Sequence, residues 1–211
     1  MANRIQIRSR FLRVLSVFIP VLLLPAVQAA DDAPAKRVGF VLGGTFEAPE
    51  IARKPEGAEK TLLVPSYEWD YGVRSFTRES WAERGFTWEQ FSEIATRVAD
   101  KIVEEVEPRL VRDERGIIEY AVLSKKDPFL TSVLVSEKLH DKFKDTLGDQ
   151  IHIVLIDRHM IYLFPAIGAK IEDYGPALVD EFRNAIFPVS LEVFQLDDKG
   201  FRVIGELNRD S

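Results

Sequence analysis

Cysteine is absent from this 211-residue chain, and histidine is scarce, with 3. Without a thiol there is no disulfide framework and no acylated lipoprotein N-terminus, so stability must come from the core alone. Basic residues are outnumbered, 28 Lys and Arg against 34 Asp and Glu, for a net charge of -6. That balance argues against nucleic acid or an anionic lipid surface as a partner, because both need a basic patch to displace counterions. Long apolar runs are missing too. Val14 to Leu24 has 11 residues and contains Pro20, whereas crossing a bilayer takes about 20.

What stands at the N-terminus is an address. Arg4, Arg8, Arg10 and Arg13 form a basic leader without an acid, the short apolar run comes after them, and small residues end in Val27-Gln28-Ala29 with Ala30 and Asp31 beyond. This is the layout of a secretory signal peptide, with small side chains at the last and third-last positions before cleavage. The expected organisation is a signal peptide over 1-29, a tail and irregular segment over 30-66, and a single α+β domain over 67-211. The four arginines leave with the leader, taking the net charge from -6 to -10, with 24 basic and 34 acidic residues. An exported bacterial protein, periplasmic or secreted, with no stable membrane span after cleavage is the consequence.

Within residues 30-66, Val38 to Leu42 is a short strand candidate stopped by Gly43-Gly44, and Pro49, Pro55 and Gly57 punctuate the remainder of the segment. The chain then turns aromatic. Tyr67, Trp69 and Tyr71 alternate with Glu68 and Asp70, which on a strand puts rings on one face and carboxylates on the other. Phe76, Trp81, Phe86, Trp88 and Phe91 continue the stretch.

Beyond it the pattern becomes regular. Thr87-Trp88-Glu89-Gln90 is a capping box, and Phe91, Ile94, Ala95, Val98, Ile102 and Val106 succeed it at helical spacing. A hairpin over Leu110 to Leu123 comes next. Ser136 then caps a helix with Leu139, Phe143 and Leu147 inward and His140 on the solvent side among Lys138, Asp141 and Lys142. The hairpin Ile151 to Phe164 turns at Asp157-Arg158. Gly175-Pro176 opens a third helix, with Leu178, Val179, Phe182 and Ile186 inward, and Val189 to Leu207 makes the last hairpin. The expected fold is α+β: an antiparallel sheet built from three consecutive helix-hairpin units, preceded by an irregular aromatic-rich segment.

If Ile156 lies opposite His159, His152 faces Leu163 and both faces of the middle hairpin are apolar. Such a strand pair sits mid-sheet, covered on both sides, or forms a subunit interface; a homodimer through this hairpin is the second expectation. In that register the imidazoles of His152 and His159 lie roughly 13 Å apart, too far to share a metal. No metal or other cofactor is expected, and neither a phosphate loop nor a nucleophile elbow is present. Tyr67, Glu68, Trp69, Asp70, Tyr71 and Trp81 are the candidate binding residues, since flat rings beside carboxylates suit a sugar or peptide. Packing is the first expectation for these rings, ligand binding the second, and hydrolysis by carboxylates near Glu68 and Asp70 the third.

Pro128-Phe129-Leu130-Thr131-Ser132-Val133-Leu134-Val135-Ser136, then Leu147-Gly148-Asp149-Gln150-Ile151, Asp157-Arg158-His159-Met160-Ile161 and Pro188-Val189-Ser190-Leu191 resemble the C-terminal part of the YtpQ-like family of unknown function, over residues 128-207. The resemblance implies an α+β fold and no particular reaction. The functional expectation is therefore a non-catalytic binding or envelope-associated module, with an envelope-acting hydrolase as the alternative.

The leader predicts a mature protein beginning at Ala30, or at Asp31 if the neighbouring bond is cut. Intact mass of the exported fraction checks it, and Met1 retained on membrane-bound protein would mean an uncleaved anchor.

Overall fold

The computed structural model describes residues 36-168 and 171-208. The leader and its cleavage site lie outside the described residues. The described residues form one compact unit, and among them no helix is long and apolar enough to cross a membrane.

Among the described residues, nine strands divide between two antiparallel sheets. The small sheet has β1 (Val38–Gly44), β2 (Thr61–Trp69) and β3 (Gly72–Ser75) in that order, and a short α1 (Arg78–Arg84) comes after it. After α2 (Trp88–Glu105) come β4 (Arg109–Arg112) and β5 (Ile118–Ser124), a 3-10 stretch Leu130–Val135, α3 (Glu137–Leu147), β6 (Ile151–Asp157), β7 (Met160–Pro165), α4 (Ile171–Asn184), β8 (Glu192–Asp197) and β9 (Gly200–Glu206). The large sheet runs β4-β5-β7-β6-β8-β9.

The protein is α+β, but the single sheet of three helix-hairpin units behind an irregular segment is overturned. Residues 38-75 build a sheet of their own, and β1 packs with α2 and the Leu130–Val135 stretch into the core shared with the large sheet. The prolines and glycine that marked the segment as irregular, Pro49, Pro55 and Gly57, all fall between β1 and β2, while β2 itself runs through Pro65. Pro65 O accepts from Phe76 N at 3.0 Å, just past the last residue of β3, so the missing N–H falls on the side where the short neighbour has ended.

Local signals that survive are the caps. Thr87 and Gln90 form the capping box of α2, and Thr77 with Ser80 forms a second one on α1. Ser136 starts α3 without capping it, and its hydroxyl donates instead to Asp100 Oδ1 at 2.5 Å. Pro176 is inside α4 and does not open it. Ile186, expected inward, is 83% exposed.

The middle hairpin is covered on both faces. Ile151, Ile153, Leu155, Ile161 and Leu163 meet α3, the Leu130–Val135 stretch, α2 and β1. Val154, Ile156, Tyr162 and Phe164 meet Ile171, Leu178 and Val179 of α4. The expected register is slipped: Asp157 pairs with Met160, and an irregularity between Val154 and Asp157 leaves His152 opposite Phe164 and Val154 opposite Tyr162. The cause is Asp157. Its carboxylate accepts from His159 N at 2.8 Å and Phe187 N at 2.9 Å, which moves the turn to Arg158-His159, and a one-residue slip exchanges the faces of a strand.

Lys142 is no solvated bystander. Its ammonium donates to Val103 O and Val106 O, both at 2.6 Å, capping the carbonyl end of α2, where positive charge is favourable. Ile153→Ala should cost about 2–5 kcal/mol by leaving a cavity in a core with little room to relax. Lys142→Ala should cost about 1–2 kcal/mol. Denaturant midpoints check both, and an unshifted Lys142→Ala would mean that the ammonium adds nothing to the end of α2.

Candidate functional site

The candidate residues sit on and just after the β2–β3 hairpin, and the structure divides them into three groups. Tyr67 and Trp81 belong to packing. Phe76 lies 5.0 Å from the Tyr67 ring and 5.7 Å from the Trp81 ring, and Trp81 also meets Phe91 at 5.1 Å. With Phe40 and Ala95 these rings close an aromatic core between the small sheet and the start of α2. Trp69 and Tyr71 stand apart from it, edge to face at 4.9 Å.

The hairpin's tip is built by short-range chemistry. Trp69 pairs with Gly72, whose φ of 134° suits a residue without a Cβ, so Asp70 and Tyr71 form the turn. Tyr71 is therefore off the strand and 84% exposed. The Arg74 guanidinium lies 3.7 Å from the centre of the Trp69 ring, a cation over the negative face of an indole. Tyr71 and the edge of this stack are what the tip offers to a ligand.

Glu68 and Asp70 are both engaged. Asp70 pairs with Lys36 at 3.0 Å, and Glu68 accepts from Arg37 Nε at 2.8 Å. Arg37 also grips Asp127 through Nη1 and Nη2, each at 3.0 Å, the forked geometry that makes Arg–carboxylate pairs strong. The job of this cluster is to fasten the start of β1 to the segment after β5. Both carboxylates are thus held in ion pairs, Asp70 in an exposed one and Glu68 in a half-buried one. Among the described residues no group of three or more His, Asp or Glu comes together to hold a metal ion.

A second feature gave no signal at the level of motif. Below the hairpin, a cleft of about 340 Å³ lies between the inner face of β2–β3 and the turn after β6, lined by Val41, Val64 and Val73 and closed by Glu47 and Arg158. In the sequence Arg158 stands as a turn residue and in the stretch that resembles the YtpQ-like family; the fold carries it to Glu47, just past β1. Comparison with family models, curated proteins and solved structures finds no match for the chain.

Burial pushes the Asp127 carboxyl up, but the Arg37 guanidinium and the Phe129 amide more than offset it, and the group is held below its ordinary value. A depressed carboxyl adds stability that is fully present above the unfolded value, about 3.9, and is lost as pH falls through the folded one. Denaturant midpoints measured from pH 5 down to pH 2 should therefore fall, and Asp127→Asn should flatten part of that slope. An unchanged slope in the variant would show that the Arg37 cluster does not couple to folding.

Proposed function

We propose that this chain is an exported, non-catalytic binding module of the bacterial envelope, with the tip of the β2–β3 hairpin as its ligand surface. The observation that carries the proposal is Tyr71, 84% exposed and set edge-on to a Trp69 ring that is itself capped by Arg74. A large exposed ring with a cation beside it suits a sugar ring or a peptide, since the flat face buries apolar area and the guanidinium donates at the rim. The leader supports export, and the net charge of -10 without it disfavours nucleic acid and anionic lipid. The likeness of residues 128-207 to the YtpQ-like family belongs to the same proposal and brings no reaction with it.

Muropeptides added to the full exported chain should change its tryptophan fluorescence. Tyr71→Ala should abolish that change while its denaturant midpoint stays within about 0.5 kcal/mol of the parent. A wild-type chain that gives no response to muropeptides would overturn the ligand surface. Turnover of the muropeptides, lost in Glu68→Gln or Asp70→Asn, would replace binding by hydrolysis.

A further inference from the structure

The guanidinium of Arg158 is held in an incomplete arrangement. Its backbone N–H donates to Phe187 O at 2.9 Å, and Cζ lies 5.4 Å from the centre of the Phe187 ring, so the residue is fixed at its base. Nη2 alone reaches Glu47, at 3.0 Å from Oε1 and 3.2 Å from Oε2. Nε is buried and donates to no acceptor among the described residues. A carboxylate best meets a guanidinium as two parallel bonds from two nitrogens. Glu47 uses one nitrogen for both of its oxygens and leaves the neighbouring donor unmet, an arrangement that carries the desolvation cost of an unpaired buried group.

Glu47 is also weakly anchored. It comes from a 3-10 turn, Thr45–Glu47, in which none of the residues is buried, with Phe46 63% exposed. The turn leaves through Ala48 at φ 46°, a left-handed conformation for a residue with a Cβ. Glu47 lines the cleft of about 340 Å³, whose wall is Val41, Val64 and Val73, with the hydroxyl residues Ser66 and Ser75 and the cation Arg74 beside them. Such a volume is at the small end for a ligand site. It fits a molecule the size of one acylated amino acid.

We propose that this cleft binds a small aliphatic carboxylate, which takes Nε and Nη2 of Arg158 together and displaces Glu47. The aliphatic body lies against the valines and the carboxylate meets the guanidinium fork. Glu47 is the internal competitor that sets the affinity. Val64 and Ser66 alternate with Tyr67 along β2, so this site lies across the strand from the aromatic packing; Arg74 borders both the cleft and the Trp69–Tyr71 stack, and the variants at Glu47 and Arg158 test the cleft without touching the Tyr71 surface.

The probe is N-acetyl-L-valine, with N-acetyl-L-valinamide and inorganic phosphate as comparison arms, titrated into the full chain by calorimetry and followed on the Arg158 Nε–H resonance. Glu47→Gln keeps the side chain's shape and removes its charge, and should bind N-acetyl-L-valine at least tenfold more tightly than the parent. The Nε–H signal should shift on binding, and the amide should leave it in place. Arg158→Lys keeps the charge and loses the fork, and in the Glu47→Gln background it should cost the gained affinity. Equal affinity in Glu47→Gln and the parent, equal binding of acid and amide, or tighter binding of phosphate than of the acid would each overturn the site. These comparisons do not depend on the Arg158→Lys chain remaining folded.

Discussion

Two adjacent strands that are apolar on both faces dictate how the rest of the chain must lie. Once β6 and β7 sit in the middle of the large sheet, neither face can meet water without exposing Ile, Leu or Phe side chains, and two layers of cover are required. α4 supplies one. The other needs more than α3, and the Leu130–Val135 stretch, α2 and β1 all contribute to it. The small sheet is therefore part of the core of the large one. The Leu42 amide donating to Thr131 Oγ1 at 3.0 Å, with both residues fully buried, is the polar expression of that union.

Much of the secondary structure was legible because it is encoded within a few residues. The Thr87–Gln90 box and the spacing from Phe91 to Ile102 define α2, and the outer hairpins carry the charge that edge strands carry. Misreadings arose where a distant group decides. Asp157 holds the Phe187 amide, so its place in β6 could not be seen from the hairpin's own sequence. Lys142 looks like one more charged residue on a helix until α2 ends beside it. β2 tolerates Pro65 only because β3 is short, a fact about a neighbouring strand.

The candidate site was legible in the same uneven way. Alternation along Tyr67 to Tyr71 marked a strand and separated the Tyr67 and Trp69 rings from Glu68, but it carried Tyr71 onto that strand, where the structure has a turn. Nothing local distinguishes Trp81, held among Phe76, Phe86 and Phe91, from Tyr71, which the turn places in solvent. Glu68 and Asp70 looked like free carboxylates since their partners, Arg37 and Lys36, lie more than thirty positions earlier. Arg158 meets Glu47 across 111 positions, a separation at which sequence spacing carries no geometric information.

The seam between the two ends of the chain sets an order of events. Glu192, 3% exposed, accepts the amides of Glu59 at 2.6 Å and Lys60 at 2.9 Å, and Thr61 and Ser190 share a hydroxyl contact at 2.7 Å. Val203 N donates to Glu56 O at 2.8 Å, and Gly57 approaches so closely that a Cβ there would lie 2.7 Å from Val203 O. Residues 56-61 thus occupy the outer edge of the last strand at Val203, one point of an edge that would otherwise invite another chain to pair with it. During synthesis this covering segment exists long before the edge it must cover. The contacts closing the molecule are among its longest in sequence, and such contacts form slowly, so a nascent chain lacking β8 and β9 has no means of completing its own sheet.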